Sequence, residues 1–256
     1  MPIGAIVQAR MGSTRLPGKV ILPLEGKPVL WHVLKRVKAS KKIKKVILAT
    51  TDLPEDKPLA KIAKELQVET FFGSENDVLC RYYEAAKKYK IDPVIRITAD
   101  CPVIDPVIID EVIDFYFHGN YDLGGLNGSF PDGLDVAIYS FKALQIAHKE
   151  AKLPSQREHV GGDFFSRQPK RFRIGSYIKF KNKGNFRWTL DEPEDYELIK
   201  KIYSALYKKK PLFSHKDIFR LMKSQPKLLK INAHIIRNEG YLKSLKEDKK
   251  YLSKKK

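Results

Sequence analysis

The chain has 256 residues, 43% of them hydrophobic, and a formal net charge of +19. That is enough apolar material for a substantial core and excludes a disordered chain. No run approaches the roughly 20 apolar residues of a bilayer span, and two cysteines, Cys80 and Cys101, exclude both a disulfide framework and a thiolate metal cluster.

Met1 leads straight into an apolar run, without the layout of a signal peptide, so a reducing cytoplasm is the expected location. The positive charge points to anionic partners, but much of it is diffuse lysine that reads as solvated surface. No stripe of interleaved basic and aromatic residues marks a specific nucleic-acid interface. The basic end, residues 244–256, is expected to be a mobile tail suited at most to weak, salt-sensitive contact with anionic lipid.

In chain order, Ile3–Ala9 reads as a buried strand and is followed by a helical pattern over Pro28–Lys38. Strand-like Lys45–Thr50, Glu69–Phe72 and Val94–Thr98 alternate with helical Leu59–Leu66, Asp77–Tyr89 and Pro106–Phe117. This alternation predicts an α/β fold with a parallel sheet covered by helices on both faces. Ligands of such sheets bind beyond the carboxyl ends of the strands, where the loops after the first and fourth strands lie.

After residue 118 the rhythm changes. Gly119–Gly128 and Pro131–Gly133 read as turns, and Leu134–Tyr139 as a strand. Phe141–Lys149 and Gln156–Phe165 have helical patterns, Phe172–Phe180 alternates as a strand does, and Trp188–Leu190 looks extended. Pro193–Leu206 is expected to be a helix with proline in its first turn and Asp191 as a candidate cap; Ser214–Met222 is a further short helix. With no repeat or low-complexity linker, the chain reads as one domain over residues 1–243, with halves of about 1–118 and 119–243.

The richest segment for chemistry follows the first strand. Gly12, Ser13 and Gly18 form a glycine-rich turn threaded by Arg10, Arg15 and Lys19. Glycines let a backbone approach an anion and offer N–H donors, while Arg and Lys neutralise its charge, so the turn reads as a phosphate cradle. Asp100, after the fourth strand and before Pro102, is placed to point into the same crevice, while Asp105, before Pro106, is the better helix cap. Asp191 holds a matching position after Trp188–Leu190. Two carboxylates facing a polyphosphate suit Mg²⁺, a hard cation that takes one or two carboxylates plus phosphate oxygens.

Ala9–Lys19 resembles the signature loop of the sugar cytidylyltransferases, which include the 3-deoxy-manno-octulosonate and acylneuraminate enzymes and a spore coat polysaccharide branch. Further matches, in order, are Glu75–Leu79, Thr98–Pro102, Asp132–Val136, Arg157–His159, Trp188–Asp195 and Asn238–Tyr241. The resemblance implies a Rossmann-like α/β/α sandwich of the nucleotide-diphospho-sugar transferase type. It implies CTP and a sugar or sugar acid as substrates, CMP transfer with loss of pyrophosphate, a role in surface polysaccharide synthesis, and room for a homodimer. Arg15 and Lys19 would grip the triphosphate, Gly12 and Ser13 would lend N–H groups, Ala9, Arg10 and Asp77 would lie near the nucleotide, and Asp100 and Asp191 would ligate Mg²⁺. Asp135, Glu158 and His159 are the candidates for the sugar.

Two departures stand out. Cys80 replaces an expected aspartate, and Val160–Asp163 is unlike the usual Thr-Pro after the histidine. A glycosyltransferase of the same fold is the rival enzyme reading, but Asp100–Pro102 lacks the Asp-x-Asp motif such enzymes carry. A non-catalytic anion-binding module is the third reading.

Overall fold

The structure, a computed structural model, describes residues 1–237 and 239–254. Asn238 of the Asn238–Tyr241 motif and Lys255 and Lys256 of the expected tail lie outside the described residues. The chain opens with β1 (Gly4–Gln8), a two-residue ribbon β2 and β3 (Pro23–Leu24, Lys27–Pro28), α1 (Val29–Lys38), β4 (Lys45–Thr51) and α2 (Lys57–Glu65). There follow β5 (Glu69–Gly73), α3 (Val78–Tyr89), β6 (Val94–Thr98), α4 (Pro106–His118), β7 (Leu123–Leu126) and β8 (Ala137–Tyr139). The rest comprises α5 (Phe141–Glu150), α6 (Pro154–Glu158), β9 (Ile174–Tyr177), α7 (Pro193–Leu206), α8 (His215–Ser224) and α9 (Glu239–Ser253).

Seven strands form one sheet in the order β5-β4-β1-β6-β8-β7-β9. β5, β4, β1 and β6 are mutually parallel, β8 runs against both β6 and β7, and β9 is parallel to β7. The mostly parallel sheet agrees with the sequence reading. β1 is buried on both faces, as a central parallel strand must be, which accounts for its unbroken apolar run. Ala5 and Val7 meet the layer built by α1, α2, α4, α7 and α8, while Ile6 meets the layer of α3 and α5.

The second half departs from expectation in three places. β7 lies inside the segment expected to be all turn, because Gly124 lets that strand lie against the Tyr116 ring; a Cβ there would stand 3.2 Å from it. The helix expected over Gln156–Phe165 is broken after Glu158, with Val160, Gly161 and Gly162 all at positive φ. Trp188–Leu190, expected only to be extended, joins no strand of the sheet, although Asp132 and Arg187 form an isolated parallel bridge beside it. The segment expected to be a mobile tail from residue 244 is helical to Ser253, and its Ser244 and Asp248 are buried against α6. That anchoring is polar, which is why no apolar stripe announced it.

His32 on α1 is a packing residue, 2% exposed, with Nε2 2.7 Å from the Leu24 carbonyl and its ring edge-on to Tyr203. Burial, with Arg36 and Lys27 adding to it, pushes its pKa down to about 4. A depressed histidine stabilises the fold fully above its unfolded pKa near 6.5 and loses that contribution as pH falls through 4. Urea unfolding at pH 7 and pH 4 should therefore show wild type losing on the order of 3 kcal/mol more than His32→Gln. Equal losses would show that His32 is not held neutral.

Candidate active site

The site forms where β1 and β6 lie side by side with their carboxyl ends level: Gln8 pairs with Thr98, and the Ala99 N–H donates to the Gln8 carbonyl at 2.9 Å. This is the point at which the order of the parallel strands reverses, and it opens a crevice above the sheet. A cleft of about 730 Å³ occupies it, lined on one side by Gln8–Arg10, Gly12–Arg15 and Lys19 and floored by Thr98–Asp100 and Asp191. The volume suits a nucleotide-sized ligand.

The loop after β1 folds back on itself. The Met11 carbonyl accepts from Ser13 N–H at 2.8 Å and Gly18 N–H at 3.3 Å, and Met11 N–H donates to buried Asp56 at 2.6 Å. Gly18 has φ +66°, which turns the chain so that Lys19 begins a short 3₁₀ turn. The Ser13 N–H is thus occupied within the loop. The Gly12 N–H makes no hydrogen bond among the described residues, nor do those of Arg10, Thr14 and Arg15, and these are the loop donors left to a ligand.

Lys19 joins the two halves of the site. Its Nζ lies 2.7 Å from Asp191 Oδ1 and 3.2 Å from Asp100 Oδ2, so both carboxylates face one point from opposite sides. The backbone sets this up: Leu190 N–H donates to the Asp100 carbonyl at 2.8 Å, and the Thr189 hydroxyl to the same oxygen at 3.2 Å. Burial alone would push Asp100 up, but Lys19 and hydrogen bonds from Thr98 and Cys101 outweigh it and hold the carboxyl below its ordinary value. Burial likewise works against the Lys19 ammonium, and the two aspartates outweigh it, so its pKa is raised. Lys19 and Asp100 are therefore charged at neutral pH.

Arg15 shares Asp191 from the rim, 3.2 Å away, and also lies 3.0 Å from Glu192 and 3.2 Å from Glu239. Asp191 does not cap α7. Glu192 takes the cap position, while Asp195 reaches back to accept from the N–H groups of Asp191 and Glu192 at 3.0 Å each. This leaves the Asp191 side chain free to face Lys19. Behind it, buried Arg187 donates to both oxygens of Asp195 at 2.8 Å and pairs with Asp132 at 3.2 Å, and Asn232 completes the set at 2.8 Å from Asp195. The sequence reading missed this supporting network. Its members lie far apart in the chain, and only the Asp132 and Trp188–Asp195 motifs bordered it.

The remaining candidates divide. Ala9 and Arg10 line the cleft, with Arg10 3.6 Å from Glu75. Asp77 does not: it caps α3 through Cys80 N–H at 2.9 Å, and Arg157 grips both its oxygens. Asp105 caps α4 as expected, accepting from Val107 N–H at 2.9 Å. Glu158 lines the cleft and accepts from Ser244 at 2.6 Å, whereas His159 sits behind it, 3.0 Å from the Ser244 hydroxyl and edge-on to Tyr241. Asp135 accepts from Gly133 N–H at 2.9 Å, outside the cleft wall. Its neighbour Asp132 is pushed up to about 7, first by burial and then by Asp135.

Several polar groups between the sheet and α3 lack partners. Gln8 Oε1, the whole guanidinium of buried Arg81 and Arg96 Nε are buried without a hydrogen bond. Gln8 belongs to the cleft wall, but its unpaired oxygen is itself buried. Cys80 and Cys101 are both free thiols.

The donors fit Mg²⁺. Two carboxylates face a common cation position, and among the described residues no group of three or more His, Cys, Asp or Glu could hold a metal alone. A hard cation held by Asp100 and Asp191 would take its remaining ligands from phosphate oxygens and water.

Comparison with known proteins agrees with this architecture. Residues 4–230 match the cytidylyltransferase family. A solved cytidylyltransferase from Leptospira borgpetersenii is 34% identical and superposes with a TM-score of 0.84, over 90% of this chain and 97% of that one. An uncharacterized protein of Methanocaldococcus jannaschii is 34% identical over 94% of this chain and 98% of its own length. The spore coat polysaccharide biosynthesis protein SpsF of Bacillus subtilis is 32% identical over 86% of this chain and 94% of its own. Among the described residues no helix is long and apolar enough to cross a membrane.

Proposed function

The chain belongs to the cytidylyltransferase family, and from that premise we propose that it transfers CMP from CTP to a hydroxyl of a sugar or sugar acid, with Mg²⁺ and release of pyrophosphate. The observation that carries this reading is the convergence of Asp100 and Asp191 on Lys19, beside a cationic loop with a free Gly12 N–H. A glycosyltransferase would need no set of cations able to hold three phosphates. The kinship with a spore coat polysaccharide protein supports surface polysaccharide as the destination of the product.

In the proposed reaction the substrate oxygen attacks the α-phosphorus, the bond from that phosphorus to the β-phosphate bridging oxygen breaks, and the hydroxyl proton leaves to solvent. Such transfers depend on positioning and charge neutralisation. Asp100 and Asp191 would hold Mg²⁺, whose contribution is to neutralise phosphate charge and acidify the incoming hydroxyl. Arg15 and Lys19 take the charge that builds on the departing pyrophosphate, exchanging carboxylate partners for phosphate oxygens. Gln8 and Arg10 line the cleft at the opposite end of the loop from Lys19, on this reading the nucleoside side. Glu158 faces the cleft on the acceptor side; Asp135 and His159 lie outside or behind its wall and act there, on this reading, by supporting it.

Thermal unfolding with each of the four nucleoside triphosphates and Mg²⁺ tests the nucleotide directly. A ligand at a hundred times its Kd stabilises by about 2.7 kcal/mol, so CTP should raise Tm by roughly 5–10 °C and more than UTP, ATP or GTP. No shift with CTP, or equal shifts with all four, would overturn the assignment.

A further inference from the structure

Residues 4–230 are those matched to the family and the Asn238–Tyr241 motif reaches only the first turn of α9, yet this helix, from Glu239, forms one wall of the cleft. Glu239, Lys243, Lys246 and Glu247 recur at helical spacing and face the cavity across from Arg15 and Lys19. The helix is fixed from behind: buried Asp248 accepts from Ser155 N–H at 2.9 Å and its hydroxyl at 2.6 Å, and Ser244 joins Glu158 at 2.6 Å. Its first residue, Glu239, is bound to Arg15. Arg15 and Lys19 are engaged by carboxylates, whereas Lys243 and Lys246 have no ion pair among the described residues. The unneutralised cations of the cleft are thus on the helix, not on the signature loop.

We propose that α9 is a working wall of the phosphate site, with Lys243 and Lys246 binding the β- and γ-phosphates opposite Arg15, and Glu239 holding Arg15 in place until the triphosphate displaces it. The identity of the phosphates rests on the nucleotide reading above; the presence of an anion site between α9 and the loop does not. Both lysines are exposed and alanine is the better helix former, so their removal leaves α9 intact.

The test is isothermal titration of wild type, the Lys243→Ala/Lys246→Ala variant and a Lys249→Ala/Lys250→Ala control with CTP, CMP and inorganic triphosphate. The control removes the same charge from the same helix at positions outside the cleft wall. The expected result is a loss of about tenfold in affinity for CTP and for inorganic triphosphate in the first variant only, with CMP unchanged. Unchanged CTP and triphosphate affinity, an equal loss for CMP, or an equal loss in the control would overturn the proposal. Should wild type ignore CTP but bind triphosphate through these lysines, the anion site stands and the nucleotide reading falls. Should wild type bind neither, both fall.

Discussion

Replacing Asp100 with alanine should lower pyrophosphate release from CTP by on the order of 10³-fold, about 4 kcal/mol of transition-state stabilisation, while the protein stays folded. Among the described residues the carboxylate is one of two that pair with Lys19, and on the proposed reading Asp191 alone would not present a pair to a hard cation. The fold survives because the backbone carbonyl of residue 100 still ties down Leu190 and Thr189. The side chain itself is 26% exposed, so no large cavity opens. Asp100→Asn separates charge from shape: it keeps an acceptor for Thr98 yet should be nearly as inactive. Kinetics with a coupled pyrophosphate assay, alongside circular dichroism, checks both halves. Activity within tenfold of wild type would remove Asp100 from the chemistry.

Gly133→Ala should be among the most destabilising single substitutions in the chain, at roughly 3 kcal/mol, lowering Tm by about 10 °C. Gly133 has φ +99°, and a Cβ there would stand 2.4 Å from the Trp188 carbonyl carbon and 2.5 Å from the Thr189 nitrogen. Those are backbone atoms, so no side chain can swing aside. Relief requires the 131–134 turn to separate from the 186–189 segment, and that breaks Asp132 N–H to the Phe186 carbonyl (2.9 Å) and Trp188 N–H to the Asp132 carbonyl (2.7 Å). The same separation slackens the Asp132–Arg187 pair and the Asp195 network that aims Asp191. Activity should therefore fall even below the melting transition, with KM for CTP rising as the Lys19 position loosens. A Tm within 2 °C of wild type would contradict this geometry.

The parallel half of the sheet was legible because its strands are buried on both faces and its helices are amphipathic, so pattern and structure carry the same information. β7 was hidden by Gly124 and Gly125, which read as turn although Gly124 serves close packing under Tyr116. α9 was hidden because it is held by Ser244 and Asp248 and not by an apolar stripe. At the site, the loop and Asp100 were visible as charged residues after strands and Asp191 as an acid after an extended segment, and the structure brings Arg15, Lys19, Asp100 and Asp191 within one cluster. Asp77 has a role the sequence did not assign it: it caps α3, and Arg157, 80 residues away, holds it there. The Arg187–Asp195–Asn232 network was illegible because sequence spacing says nothing of which distant polar groups meet.

The proposed reaction takes place at the α-phosphorus of CTP. Phosphorus NMR of the protein with CTP, Mg²⁺ and a panel of sugars and sugar acids should show, with at least one acceptor, a CMP–sugar phosphodiester signal growing in equal measure with pyrophosphate, and no such change for Asp100→Ala. Release of CMP with orthophosphate alone, or consumption of a nucleotide-sugar in the absence of any pyrophosphate, would contradict it.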